Sequence, residues 1–179
     1  MAVRKKGNGA GRLVLALAVV GFIFLVWWWV TTTPSGKPDS GSSTTATIQH
    51  VVDGDTVYVL LDGKRTKVRL LNVSAPEVAH EQKPAECLGN EATAFLTQKL
   101  PKGSKVELDF DIERFDKYGR TLAGITYKNE FINESMVASS HATAMKIKPN
   151  IKHYEQLRAA QRVAQQSQLG LFDPDNSCR

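Results

Sequence analysis

Three short stretches gather the residue types needed to handle an anionic, oxygen-rich group. Asp53-Gly54-Asp55 sets two carboxylates around a glycine. Such a pair can converge on a hard cation, which wants several oxygen ligands. The later acidic positions and closing glutamate of an EF-hand are missing. In RLLNVSAPE, Arg69 stands at one end and Glu77 at the other. The planar guanidinium suits phosphate oxygens. A glutamate on a Pro-led turn suits orienting or deprotonating a water. The third stretch, Asp116-Lys117-Tyr118-Gly119-Arg120, brings a second arginine after a glycine. Taken singly, each also reads as something ordinary: an Asp-Gly turn, a surface ion pair, a solvated basic turn.

For these residues to meet, they must sit at the ends of short strands. Thr47 to Val52 and Thr56 to Leu61 are strand-like, the second rich in β-branched and aromatic residues. Asp62-Gly63 is a two-residue hairpin signal. The return strand RTKVRLLNV puts Val68, Leu70 and Asn72 on one side and Arg69, Leu71 and Val73 on the other. Pro76 ends it. On this reading the strand is a rigid spacer between Arg69 and Glu77. A charged loop runs from Val78 to Gly89. NEATAFLTQKL then reads as a helix, with Ala92, Phe95, Leu96 and Leu100 at helical spacing and Asn90 as cap. Pro101-Lys102-Gly103 stops it.

Strands resume at Ser104 to Ile112 and Thr121 to Tyr127, with a tight turn at Lys128-Asn129. A short helix begins near Asn133. A last helix spans about Ile151 to Gln168, its apolar side formed by Tyr154, Leu157, Ala160 and Ala164, and Gly170 is expected to close it. The fold class is mainly β with helices (α+β): a five-stranded Greek-key barrel of the OB type with three helices. Asp109, Asp111 and Glu113 have strand spacing and read as a solvent-facing side.

Ahead of this domain the composition changes. Residues 1–12 carry Arg4, Lys5, Lys6 and Arg12, and residues 13–30 are uncharged. Eighteen residues at 1.5 Å span about 27 Å, close to a bilayer core of about 30 Å. Trp27, Trp28 and Trp29 stand where an interfacial aromatic belt would be. With no small-residue cleavage site, the segment reads as an uncleaved signal anchor rather than a cleaved signal peptide. That implies a single-pass membrane protein with an extracytoplasmic domain, or a secreted one if the leader is removed. Residues 31–45 have the Pro, Gly, Ser and Thr content of a flexible tether, leaving 46–179 as the folded domain. Of 23 basic and 18 acidic residues, five and one precede the domain. The remaining 18 and 17 give a net charge of +1, so overall basicity is no argument for nucleic-acid binding. Two cysteines in an exported domain, Cys87 and Cys178, suggest a disulfide tying the C-terminal tail to the loop after Glu77.

Together the clusters are far more specific than apart. DGDTV, RLLNVSAPE, ECLGNEATAFL, DKYGRTLA, the NES helix and LGLF occur in an order and at spacings that resemble the thermonuclease, or staphylococcal-nuclease-like, family, from about Thr47 to Phe172. The resemblance implies calcium-dependent hydrolysis of DNA and RNA, preferably single stranded, leaving 3′-phosphates. It also implies roles. Asp55 matches a calcium ligand, and Ala75 a position giving calcium its backbone carbonyl. Arg69 and Arg120 match the arginines that grip the scissile phosphate, and Glu77 the general base. Lys117 and Tyr118 match contacts to a terminal nucleotide phosphate.

Two departures stand out. Ser74 falls where the family usually has an aspartate ligating calcium, so one negative charge is lost and weaker calcium binding is expected. Met145 and Ile147 replace tyrosines of the nucleotide pocket. Two functions therefore stay in play: a membrane-tethered calcium nuclease, or a non-catalytic OB module binding nucleic acid or protein through a degraded metal site. Retention of Arg69, Glu77 and Arg120 together favours the nuclease. None of His50, His80, His141 and His153 reads as a ligand or base. No protein partner is implied, and a monomer is expected.

Overall fold

The computed structural model describes residues 43–80, 83–176 and 178. The apolar run 13–30 and its basic flank lie outside them. No helix among the described residues is long and apolar enough to cross a membrane.

Strand β1 (Thr44–Asp53) starts two residues before the expected domain boundary. It pairs antiparallel with β2 (Thr56–Leu61), which pairs with β3 (Lys64–Leu70) through the Asp62-Gly63 turn. Both turn residues have positive φ, 49° and 74°, as the hairpin signal requires. β1 also pairs with β5 (Lys105–Asp109), and β5 with β6 (Thr121–Tyr127). Parallel pairing of β3 with β6, Val68 opposite Thr121, closes the five strands into a barrel. Alternation explains the closure: Val57, Val59, Val68, Leu70, Val106, Leu108, Ala123 and Ile125 all point inward and are buried. A short β7 (Glu130–Phe131) extends β6.

Three helices pack on this barrel: α1 (Gly89–Lys99), α2 (Ile132–Ala138) and α3 (Tyr154–Ser167), followed by a 3-10 turn at Gly170–Phe172. Buried Ala92, Leu96, Met136, Val137 and Leu157 carry their apolar faces into the core. Cys87 and Cys178 are disulfide-bonded, with Cα atoms 5.2 Å apart.

Four local expectations need correction. The β3 strand does not run through to Val73. It breaks where Asn72 takes φ 60°, and a separate two-residue strand β4 (Val73–Ser74) pairs with β8 (Thr143–Ala144). Asn72 drives the break: its side-chain amide donates to the carbonyls of Met145 (3.1 Å) and Asn150 (2.9 Å), an anchorage unavailable within a sheet ladder. Asn90 is not the cap of α1. The helix starts one residue earlier, with Leu88 left-handed at its N-cap. Gly170 does not end α3, because Gln168 already takes the left-handed conformation and Gly170 opens the 3-10 turn. The acidic row after β5 is not simply solvated. Asp109 pairs with Lys152 (2.7 Å) and His153 (2.8 Å), and Asp111 accepts the Lys152 backbone N–H, tying the approach to α3.

Candidate active site

The turn between β1 and β2 carries the two aspartates into the protein rather than out to solvent. Gly54 makes this possible. A side chain there would collide with the methyls of Ala75 and Ala92, at 2.6 and 2.8 Å. The turn is thus clamped between the segment after β4 and helix α1. Asp53 accepts the Asp55 backbone N–H at 3.0 Å. Asp55, almost fully buried, accepts the Thr56 hydroxyl at 3.0 Å and the Ala75 N–H at 2.9 Å. Its remaining bond is the central one: Oδ2 lies 2.8 Å from Nη2 of Arg69.

Arg69 stands opposite Thr56 in the ladder, so its register delivers it to the aspartates. Its Nη1 donates to the carbonyls of Val73 (2.7 Å) and Leu70 (3.3 Å). The β3–β4 break is what turns those carbonyls toward the guanidinium. Burial works against the charges of both partners. The Asp55 carboxyl is pushed up to about 7 by burial, against the pull of Arg69, with Asp53 adding to the rise. Arg69 is lowered by burial, with Asp55 opposing; Arg120 also lowers it, while Asp53 and Glu77 favour its charged form. Arg120 and Glu77 are therefore both electrostatic neighbours of Arg69, although Arg120 is far from it in sequence.

Arg120 enters from the loop before β6. Asp116 organises that loop, accepting the backbone N–H groups of Tyr118 and Arg120 at 2.9 Å each and Arg120 Nε at 2.7 Å. Burial disfavours its charge, but these bonds outweigh it and hold its carboxyl below the usual range. Gly119 at φ 75° closes the turn. Arg69 and Arg120 line one cleft of about 520 Å³, together with Lys117, Tyr118, Met145 and Ile147. Tyr118 projects into solvent and is 72% exposed. The structure thus brings the expected phosphate contacts and the two departures at 145 and 147 into one wall.

Glu77 is half-buried at the edge of this group. Its carbonyl accepts the Glu86 N–H at 2.8 Å, and Gly89, at the start of α1, packs against that same carbonyl with no room for a side chain. Asp53, Glu77 and His80 each offer one ligand atom within 4.8 Å of the others. Two carboxylates and an imidazole fit a divalent cation. Ser74 is half-buried on β4, and its carbonyl accepts the Thr143 hydroxyl at 3.3 Å. His80 carries no sequence signal of its own. Only the path of residues 78–80 after Glu77 places it here. Asn72 and Asn150 are also invisible as site residues in sequence, yet Asn150 bonds Glu113 in both directions, at 2.7 Å each, and holds the cleft wall.

A profile of the family described as "Staphylococcal nuclease homologue" matches residues 67–173. This chain belongs to that family. Among curated relatives of this staphylococcal nuclease homologue, the thermonuclease of Staphylococcus hyicus is 32% identical over 162 residues, covering 90% of this chain and 95% of its own. The thermonuclease of Staphylococcus intermedius is 33% identical over 163 residues, covering 91% and 96%. Endonuclease YncB of Bacillus subtilis is 31% identical over 146 residues, covering 77% and 67%. The match extends across the barrel closure, the Arg69–Glu77 segment and the Arg120 loop of this family member.

Proposed function

We propose that this protein is a calcium-dependent nuclease that hydrolyses phosphodiester bonds of DNA or RNA, preferably single stranded, and leaves 3′-phosphates. Nuclease activity in general follows from family membership and from relatives named thermonuclease and endonuclease. The observation that carries the finer reading is the cleft shared by Arg69 and Arg120, with Arg69 fixed by Asp55 and two carbonyls. Guanidiniums held in place before substrate arrives stabilise charge developing on phosphate oxygens without reorganising. Glu77, fixed through its own backbone, accepts a proton from the attacking water. Lys117 and Tyr118 extend the contact to a neighbouring phosphate. Asp53 and Glu77, with His80 beside them, would hold the cation, joined by Asp55 as the family resemblance implies. A cation held there would add positive charge beside the phosphate and make a nearby water more acidic. The disulfide supports an extracytoplasmic location.

The carboxylate missing at Ser74 is what favours the alternative, a non-catalytic OB module. Digestion of single-stranded DNA by the full-length protein separates the two. Cleavage with millimolar calcium, none with chelator, and 3′-phosphate ends are expected. Folded protein that leaves the strand intact at millimolar calcium overturns the enzyme reading.

A further inference from the structure

The outer face of strands β1 to β3 continues outward from Arg69 in two further rows. The first row is Asp53, Thr56 and Arg69 themselves. Two residues further on along β2 and β3, about 7 Å away, lie Tyr58 and Lys67, with His50 opposite Tyr58 beyond a bulge in β1. Beyond them lie Lys105, Thr47, Leu60 and Arg65. Because Val57, Val59 and Val68 point into the barrel, strand alternation puts this second set outside. The rows beyond Arg69 contain Lys67, Arg65 and Lys105 and no carboxylate. In a domain whose net charge is only about +1, this is a local concentration of positive charge.

The rows also contain a stack of planar groups. The Tyr58 and His50 rings are stacked with centroids 5.0 Å apart and an interplanar angle of 27°. The Arg65 guanidinium lies 4.1 Å from the Tyr58 ring centroid. Tyr58 is half-buried, while His50 and Arg65 are exposed. The stack therefore presents an imidazole and a guanidinium plane to solvent, both of which accept a nucleobase face. Lys67, 5.8 Å from the same ring, adds a cation beside it.

We propose that this face is an accessory track for the single-stranded nucleic acid flanking the cleaved bond. Arg65, Lys67 and Lys105 meet its phosphates, and His50 and Arg65 meet its bases. The inference rests on the nuclease reading for its choice of ligand, since the track is continuous with the row holding Arg69. It adds substrate affinity that grows with strand length and contributes nothing to the chemical step.

The test measures binding and cleavage separately, on the full-length protein. Binding of a fluorescent 20-nucleotide single strand is followed by anisotropy in chelator across a salt series. For the Arg65→Ala/Lys67→Ala double variant, a Kd about tenfold or more weaker and a salt slope shallower by about 1.4 are expected, from about 0.7 per phosphate-contacting cation. His50→Ala should weaken binding by a few-fold with the salt slope unchanged. With calcium, the double variant should raise KM for the 20-nucleotide strand and leave cleavage of a dinucleotide as in wild type. A Kd and salt slope equal to wild type overturn the track, even if cleavage is normal. Weakened binding with no cleavage by wild type would instead sustain the track and remove the nuclease reading.

Discussion

Arg69 and Asp55 form an ion pair at 2.8 Å, and both are buried. A buried pair is sensitive to losing one partner, because the other charge is left without compensation. At pH 8.5, where Asp55 is charged, Asp55→Asn is expected to destabilise the domain, read from denaturant melts, and the loss should shrink as pH falls below about 7. Arg69→Lys keeps a charge but loses the fork that reaches Asp55, Leu70 and Val73 together. Its kcat is expected to fall about 10²–10³-fold with a melting temperature closer to wild type than that of Asp55→Asn. A fully active Arg69→Lys variant would refute the role.

The direction of the Asp55 shift sets a pH dependence. With its carboxyl raised to about 7 by burial, Asp55 holds a proton below that pH in the metal-free protein. A cation binding beside it must displace that proton, so affinity is lost as pH falls below 7 and levels off above it. Calorimetric titration with calcium between pH 5.5 and 8.5 should show affinity rising up to about tenfold per unit below 7. A flat profile would count against Asp55 as part of the cation site.

Ser74 stands on β4, next in sequence to Ala75, whose N–H already binds Asp55. Ser74→Asp restores a carboxylate to the site, and calcium affinity is expected to rise on the order of tenfold. Without calcium the added charge joins Asp53, Asp55 and Glu77, and the melting temperature should drop. Calcium titrations and chelator melts on the variant check both signs.

His80 lies within 4.8 Å of ligand atoms from Asp53 and Glu77. Imidazole nitrogen is a better ligand for manganese or cobalt than for calcium. His80→Ala is therefore expected to weaken manganese binding about tenfold or more and calcium binding by a few-fold at most. Equal losses for both ions, by calorimetry, would show that His80 acts only through the loop.

The Cys87–Cys178 disulfide spans 91 residues. Loop-closure arguments give such a crosslink about 2–5 kcal/mol of stabilisation. A Cys87→Ser/Cys178→Ser variant should lose a comparable amount in denaturant melts. The loss should be equal with or without reductant, whereas wild type loses stability only on reduction.

The barrel is legible in the sequence because β-branched and aromatic runs bounded by turn residues mark its strands: Thr56–Leu61 and Thr121–Tyr127 end where composition says they should. The β3 break was not, because it depends on Asn72 reaching Met145 and Asn150, more than 70 residues away. Arg69, Glu77 and Arg120 were legible as a set only through the resemblance, since each alone looks like a surface charge. Why Arg69 points where it does required the Asp55 contact and the turned Leu70 and Val73 carbonyls. His80 and the Tyr58 stack are products of register and loop path, and no local pattern announces them. The α1 cap is not legible at Asn90, because a left-handed Leu88 precedes Gly89, where packing against Glu77 outweighs the local preference of Asn90.

The crosslink between Cys87 and Cys178 also makes the larger part of the domain a closed covalent ring. Strands β5 to β8 and helices α1 to α3 lie within it, as does the largely exposed loop from Glu113 to Gly119. A protease that cuts this loop does not release a fragment: the piece bearing Arg120 stays tethered to the piece bearing Arg69 and Glu77. Nicked protein should migrate as one band on a non-reducing gel and as two after reduction. If the domain faces proteases outside the cell, as proposed, a single cut there leaves both halves of the barrel on one covalent molecule.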